Sequence, residues 1–160
     1  MSRLALRLAA PLLVGCAIGV CPAAGAAPRA NAEQAAARGR PTVLLDRLEM
    51  PPDVSKHFER HLRQTLRRVA RRADWGAGRE NRIEYRFKLE LLELAREGNV
   101  VRVKCTAVGQ LPRGRSARSH LVFSGDAEKQ DAVVERVLDI VARGVVTRLA
   151  ELERDRRSAR

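Results

Sequence analysis

Two histidines have the spacing that a metal site on a helix requires. His57 and His61 are four residues apart, which places both imidazoles on one face of a helix. The zinc protease motif with this spacing has a glutamate directly after the first histidine, where Phe58 stands here. The only other histidine, His120, is distant in sequence, and no third ligand is evident. We therefore expect two half-exposed helix histidines and no metal site.

The cysteines suggest lipid attachment rather than catalysis. Residues Leu13–Cys16 (LVGC) resemble a bacterial lipobox, whose cysteine is lipid-modified and becomes the mature N-terminus, so Cys16 is a candidate lipidation site. If the chain is instead cleaved after Ala26, Cys105 is the one thiol left, and it cannot form an internal disulfide. Free cysteines usually behave as small buried apolar residues, so we expect Cys105 in the core.

Positive charge is the third candidate feature. The 160 residues include 31 Lys and Arg against 19 Asp and Glu, a formal net charge of +12. Basic surfaces attract nucleic acid, anionic lipid headgroups and acidic polysaccharides. The arginines that we predict to form a patch for an anionic partner, on one helix and in one loop, are Arg60, Arg63, Arg67, Arg71, Arg113, Arg115 and Arg118.

No catalytic constellation is visible in the sequence. It has no Walker-type phosphate loop, no nucleophile elbow and, in the mature chain, no cysteine pair at zinc spacing. Aromatic residues make up only 3% of the chain, which disfavours a stacking platform for bases or sugars. We therefore predict that the protein is not an enzyme, with no catalytic residues and no cofactor.

The N-terminus is typical of an exported protein. Arg3 and Arg7 precede an apolar stretch of about thirteen residues, Leu8–Val20, whereas a membrane-spanning helix needs about 20. Ala24–Ala26 then has the small residues of a cleavage site. We predict a secretory signal peptide at 1–26. Cleavage before Cys16 is a second interpretation, and a helix that anchors in the membrane or is buried in the fold is a third.

The rest of the chain divides by composition. Residues 27–40 are rich in Ala and Arg and have no apolar side chain larger than Ala, so we predict a flexible linker. Residues 41–155 carry the apolar patterns of a single domain, and 156–160 form a basic tail. The expected location is the periplasm or cell envelope, anchored at the outer membrane if Cys16 is lipidated. A membrane contact is expected only through that anchor.

Local patterns in the domain predict a strand followed by a helix. Residues 42–50 are rich in Val and Leu between prolines, which favours a strand. Asp53 or Ser55 then caps a helix that ends near Asp74. Its apolar stripe consists of Val54, Phe58, Leu62, Leu66, Val69 and Ala73.

Three strands and a second helix follow. Apolar and charged residues alternate strictly from Ile83 to Leu91, the pattern of a strand with one wet face, and Leu92 marks a bulge. Residues 101–107 alternate in the same way, and a loop at 109–116 leads to a strand at 117–124. A long helix with a broad apolar face begins at Gly125–Asp126.

These elements predict an α+β fold with the order β-α-β-β-β-α. A sheet with one wet face and two one-sided helices is most simply completed by placing both helices on the apolar face. We therefore expect a two-layer sandwich with a mostly antiparallel four-stranded sheet and two helices on one face. The first two strands require a crossover if they are parallel.

The element order resembles a group of bacterial envelope domains. The segment VLLDRLEM, the following helix, the hairpin IEYRFKLELLELAREGNVVRVKCTAVG and the closing helix are similar in pattern to the TolB N-terminal domain and to LpoB- and CsgG-like accessory lipoproteins. The resemblance covers about 115 residues. It implies a role in protein–protein contacts without catalysis, and no functional residue is carried over from it.

Two functions from different classes follow. The first is an exported, non-enzymatic binding or accessory module that contacts an envelope protein or an anionic surface such as lipid headgroups or polysaccharide. The alternative is a nucleic-acid-binding domain, because from Val54 onward the element order is that of a double-stranded RNA-binding domain. Asp126, Glu128 and Asp131 oppose this alternative, because only Lys129 at the start of the last helix would attract phosphates.

Overall fold

The computed structural model describes residues 41–77 and 82–159, which form four strands and two long helices. The strands are β1 (Thr42–Glu49), β2 (Arg82–Glu97), β3 (Val100–Gln110) and β4 (Ser116–Asp126). The helices are α1 (Lys56–Arg72) and α2 (Gln130–Ser158), with a short 3₁₀ turn at Ala127–Lys129 before α2. The predicted α+β class is confirmed. The element order differs from the predicted one by the additional 3₁₀ turn. Residues 156–158, which were predicted to belong to a basic tail, form the last turn of α2.

The sheet is mixed, so the prediction of a mostly antiparallel sheet was wrong. Its strand order is β1-β2-β3-β4, in which β1 runs parallel to β2 while the β2–β3 and β3–β4 pairs are antiparallel. The reason is the connection: α1 carries the chain from the end of β1 back to the start of β2, so both strands run the same way.

A bulge in β2 decides which of its side chains face the helices. Leu89 pairs with Ala107 and Leu91 with Thr106, so Glu90 is the extra residue, two positions before the bulge predicted at Leu92. Before Glu90 the odd-numbered side chains of β2 face the helices, and beyond it the even-numbered ones do. Leu92 now lies opposite Cys105 and points to the same face as that core residue.

Local signals start and end α1. The Ser55 side chain accepts a hydrogen bond from the backbone N–H of Phe58, which confirms Ser55 rather than Asp53 as the N-cap. The predicted stripe is buried at Leu62 and Leu66. After the helix, the Trp75 indole N–H donates to the Ala70 carbonyl at 2.8 Å, so the chain folds back onto the last turn.

Both helices pack on the same face of the sheet, as predicted. Tyr85 of β2 points towards α1, because its hydroxyl donates to the Leu66 carbonyl at 3.4 Å. Phe87 is two residues further along β2 and pairs with Gly109 of β3. Tyr85, Phe87 and Gly109 therefore lie on the same face of the sheet. A methyl group at Gly109 would come within 2.5 Å of Val145 Cγ1, which shows how closely α2 packs there.

Aliphatic residues of β2, β3 and α2 dominate the core. The predicted apolar face of α2 is buried along most of its length, although Ile140 is 43% exposed. Within the described residues, no helix combines the length and the apolar composition that crossing a bilayer requires.

Candidate functional site

The two histidines of α1 lie against two carboxylates of α2. His57 Nε2 is 2.8 Å from Glu135 Oε1, and His61 Nε2 is 3.0 Å from Asp139 Oδ1. A carboxylate only accepts hydrogen bonds, so both imidazoles donate. Each histidine meets a residue 78 positions later in the chain, which shows that α1 and α2 run parallel here.

Asp139 is the centre of this cluster. Thr65 Oγ1 donates to Asp139 Oδ1 at 2.6 Å, and Arg68 Nη2 lies 3.5 Å from Oδ2. Burial by itself would raise the pKa of Asp139. The hydrogen bonds from Thr65 and His61, together with the charges of His61 and Arg68, outweigh burial and lower that pKa below its usual value.

The cluster joins the two helices. In residues 41–77 and 82–159, no group of three or more His, Cys, Asp and Glu side chains has an arrangement that could hold a metal ion. The carboxylate partners were not predicted from the sequence. A signal was present, because Glu135 and Asp139 have the same four-residue spacing as His57 and His61.

The seven arginines of the predicted patch do not come together. Arg60, Arg63, Arg67 and Arg71 form a stripe along α1, whereas Arg115 donates to the Leu152 carbonyl of α2 at 2.6 Å. Arg113 and Arg115 line a separate cavity of about 120 Å³.

Arg118 is on the other side of the sheet. It pairs with Glu90 at 3.0 Å on the solvent face, whereas its neighbour Ala117 is buried under the helices. The predicted set is therefore divided among three places on the described surface.

An opening beside two of the α1 arginines lies between α1 and the first strand. This β1–α1 groove has a volume of about 450 Å³. It is lined by Val43, Leu44, Leu45, Arg67, Ala70, Arg71 and Tyr85. The groove could not be predicted from the sequence, because Val43 and Leu45 are apolar like core residues and yet are only half-buried.

Tyr85 is the buried base of the groove. Its side chain is 1% exposed, and burial raises its pKa well above the ordinary tyrosine value, an effect that the nearby Arg67 charge partly offsets. The phenol therefore stays neutral and keeps its hydrogen bond to the Leu66 carbonyl. The base is a fixed surface rather than a reactive group.

Cys105 lies in the core, as predicted. Its side chain is fully buried, and this burial raises the pKa of the thiol to about 12. At neutral pH the thiol is therefore protonated and inaccessible to solvent, whereas a nucleophilic cysteine needs an accessible thiolate. The candidate lipidation site Cys16 and the predicted signal peptide at 1–26 lie outside the described residues.

Comparison with known proteins gives weak likenesses to two solved structures. No family model matches the chain, and no curated protein matches it. A protein described as a lipoprotein from Caulobacter crescentus CB15 superposes with a TM-score of 0.39 at 11% identity, over 71% of this chain and 92% of that one. A minor lipoprotein from Acinetobacter baumannii gives a TM-score of 0.29 at 17% identity, over 74% and 94%. At these TM-scores neither likeness bears on function, and the resemblance to TolB, LpoB and CsgG domains stays a prediction.

Proposed function

We propose that this chain is an exported, non-enzymatic protein of the cell envelope that binds another protein through the β1–α1 groove. The groove carries the proposal, because it combines apolar walls with two arginines at a place where the core is only half covered. Apolar grooves with a few polar groups at the rim are typical of binding sites. Such a site suits a binding or accessory module.

The solvent face of the sheet suits a partner less well. Three of its cations are neutralised within the chain, in the pairs Arg86–Asp46, Lys104–Glu93 and Arg118–Glu90. In the described part of the chain, Arg67 and Arg71 have no such carboxylate. The positive charge of these two arginines therefore stays available to a partner beside the groove.

Export is the second part of the proposal, and the sequence supports it. The apolar stretch Leu8–Val20 and the small residues at Ala24–Ala26 are typical of a secretory signal and its cleavage site. Lipidation at Cys16 would add an anchor, and residues 17–40, which include the 27–40 linker, would then separate the domain from the membrane. The groove would face partners in the envelope.

Site-specific cross-linking in the native host tests this function. A photo-reactive benzoylphenylalanine replaces the exposed Leu44 at the groove in one strain and the exposed His120 of β4 in the control strain. We expect one identified envelope protein to be cross-linked from position 44 only. The purified partner should then bind the full-length protein in vitro. Equal yields from both positions, or an unprocessed protein in the cytoplasm, would refute the proposal.

The nucleic-acid alternative meets an obstacle at the start of α2. Asp126, Glu128 and Asp131 are all exposed there and would repel phosphates. A filter-binding assay with duplex RNA at low salt distinguishes the two functions. We expect no binding, whereas binding that weakens steeply with salt would favour the alternative.

A further inference from the structure

The strand that forms one wall of the groove is at the edge of the sheet. β1 is the first strand in the order β1-β2-β3-β4, so it has a strand neighbour on one side only. Its other side has main-chain N–H and C=O groups with no strand partner among the described residues. An unpaired edge of this kind is where an extended peptide can add as a further strand.

The pairing within β1 limits how long the added strand can be. The register is regular from Thr42 to Leu45 and shifts between Leu45 and Arg47, so Asp46 is a bulged residue. Bulges interrupt strand pairing at sheet edges. The regular edge is therefore the part of β1 that also lines the groove.

The groove suits the alternating side chains of an added strand. Side chains of a strand point in turn to opposite faces. On the inner face they would meet Val43, Leu45 and Ala70 above the buried Tyr85, which favours apolar residues. On the outer face they would lie beside Leu44, which is 38% exposed.

The charge at the groove selects an acidic segment. Arg71 Nε donates to the Arg67 carbonyl, and within the described chain neither guanidinium contacts a carboxylate. One helical turn away, Arg63 differs, because it pairs with Glu59 at 2.9 Å. Two arginines without a carboxylate beside an apolar groove are complementary to an acidic partner, because charge-assisted hydrogen bonds to carboxylates are strong.

Other occupants fit this charge poorly. Residues 1–40 of this chain contain one acidic residue, Glu33, and several arginines, so this segment would be repelled by Arg67 and Arg71. A second copy paired through its own β1 would bring a second set of the same arginines close by. A different protein with an acidic segment remains the best match.

We infer that the β1–α1 groove takes an extended segment of the partner, with alternating acidic and apolar residues, as a fifth strand along β1. This inference rests on the proposed function, because it names the chemistry of the partner at the same site. Main-chain hydrogen bonds to Thr42–Leu45 would supply affinity, while Arg67 and Arg71 would supply charge selectivity.

Fluorescent peptides test the inference with the full-length protein. The probe is a synthetic peptide of alternating glutamate and valine. One matched peptide has lysine in place of each glutamate, and the other has alternate backbone amides N-methylated. We expect the first peptide to bind and both others to fail, because N-methylation removes the donors that strand pairing uses. Arg67→Ala with Arg71→Ala should weaken binding at least about tenfold, the factor that one lost charge-assisted contact gives. Arg60→Ala, two helical turns from Arg67, should leave peptide binding unchanged.

Three results would overturn the inference. The first is the absence of binding at about 1 mM peptide. The second is equal binding of the N-methylated peptide. The third is self-association of the protein that increases with its concentration and becomes stronger in the Arg67→Ala, Arg71→Ala double variant. The first two results leave the proposed function intact if cross-linking at position 44 still identifies an envelope partner, because that partner would then bind in another conformation. Failure of the cross-linking itself would remove the function.

Discussion

His61 of α1 and Asp139 of α2 form the central contact between the two parallel helices, with Nε2 and Oδ1 3.0 Å apart. Thr65 donates to the same carboxylate oxygen, so two residues of α1 converge on one oxygen of Asp139. Side by side on one face of the sheet, the helices are held by polar contacts here as well as by the core. Because the contact lowers the pKa of Asp139, we expect the stability of the fold to depend on pH.

The Asp139→Asn variant should be less stable than the native chain at pH 7. An amide cannot replace the charged acceptor of His61, Thr65 and Arg68, and we expect a loss of about 1–2 kcal/mol in the free energy of unfolding. Urea denaturation followed by circular dichroism measures it. Asp131→Asn, at an exposed position in the first turn of α2, is the matched control and should change stability little.

The difference in stability between the native chain and Asp139→Asn should depend on pH. The pKa of Asp139 is lower in the folded chain than in the unfolded one, so its stabilisation is complete above the unfolded pKa, about 3.9. It is lost as the pH falls through the folded pKa. The stability difference between the native chain and Asp139→Asn should therefore shrink at acid pH. A difference that stays constant from pH 7 to about pH 2 would show that Asp139 does not act through its charge.

Glu153→Gln should destabilise the C-terminal end of α2. Glu153 is buried and accepts hydrogen bonds from Arg156 and Arg157, and these contacts lower its pKa although burial alone would raise it. Removing one partner of a buried ion pair leaves charge uncompensated, so we expect a loss of about 3 kcal/mol. Thermal denaturation at pH 7 measures it.

Glu151→Gln is the control for that prediction. Glu151 is also near the end of α2 and pairs with Arg148 at 2.8 Å, but this pair is exposed. Exposed ion pairs contribute less than about 1 kcal/mol. Equal losses in the two variants would mean that the buried cluster has no special role, and that residues 156–158 behave as the basic tail predicted from the sequence.

Two glycine-to-alanine changes should have opposite effects. Gly109→Ala places a methyl group against Val145 and Leu149 and should cost about 1–3 kcal/mol, because a packed core tolerates added volume poorly. Gly144→Ala meets only Ser119 at an ordinary 3.4 Å and should stabilise α2 by up to about 1 kcal/mol through helix propensity. Denaturant unfolding of both variants tests this, and a neutral Gly109→Ala would contradict the close approach of α2 to β3.

The elements and their buried faces could be predicted because each depends on a local pattern. The alternation from Ile83 to Leu91 and the spacing of Leu62 and Leu66 each identify a face without knowledge of the rest of the chain. Strand direction depends on a connection instead. The parallel pairing of β1 with β2 was therefore left conditional by the sequence and incorrectly described as part of a mostly antiparallel sheet.

The contacts of the candidate sites could not be predicted, because they join distant parts of the chain. His61 meets Asp139 only once both helices lie parallel on the sheet, and no local pattern determines that alignment. The β1–α1 groove depends on how completely α1 covers Val43 and Leu45, which is a matter of packing. Arg67 and Arg118, grouped by charge in the sequence, lie on opposite sides of the sheet for the same reason.

Export is the claim on which the proposed binding role depends, and the mass of the native protein tests it most directly. The protein is purified from the cell envelope of its native host, and its intact mass and N-terminal peptide are measured. We predict a chain that begins near Ala27, or a lipid-modified chain that begins at Cys16. A protein that still begins at Met1 and is found in the cytoplasm would contradict export and the envelope function with it.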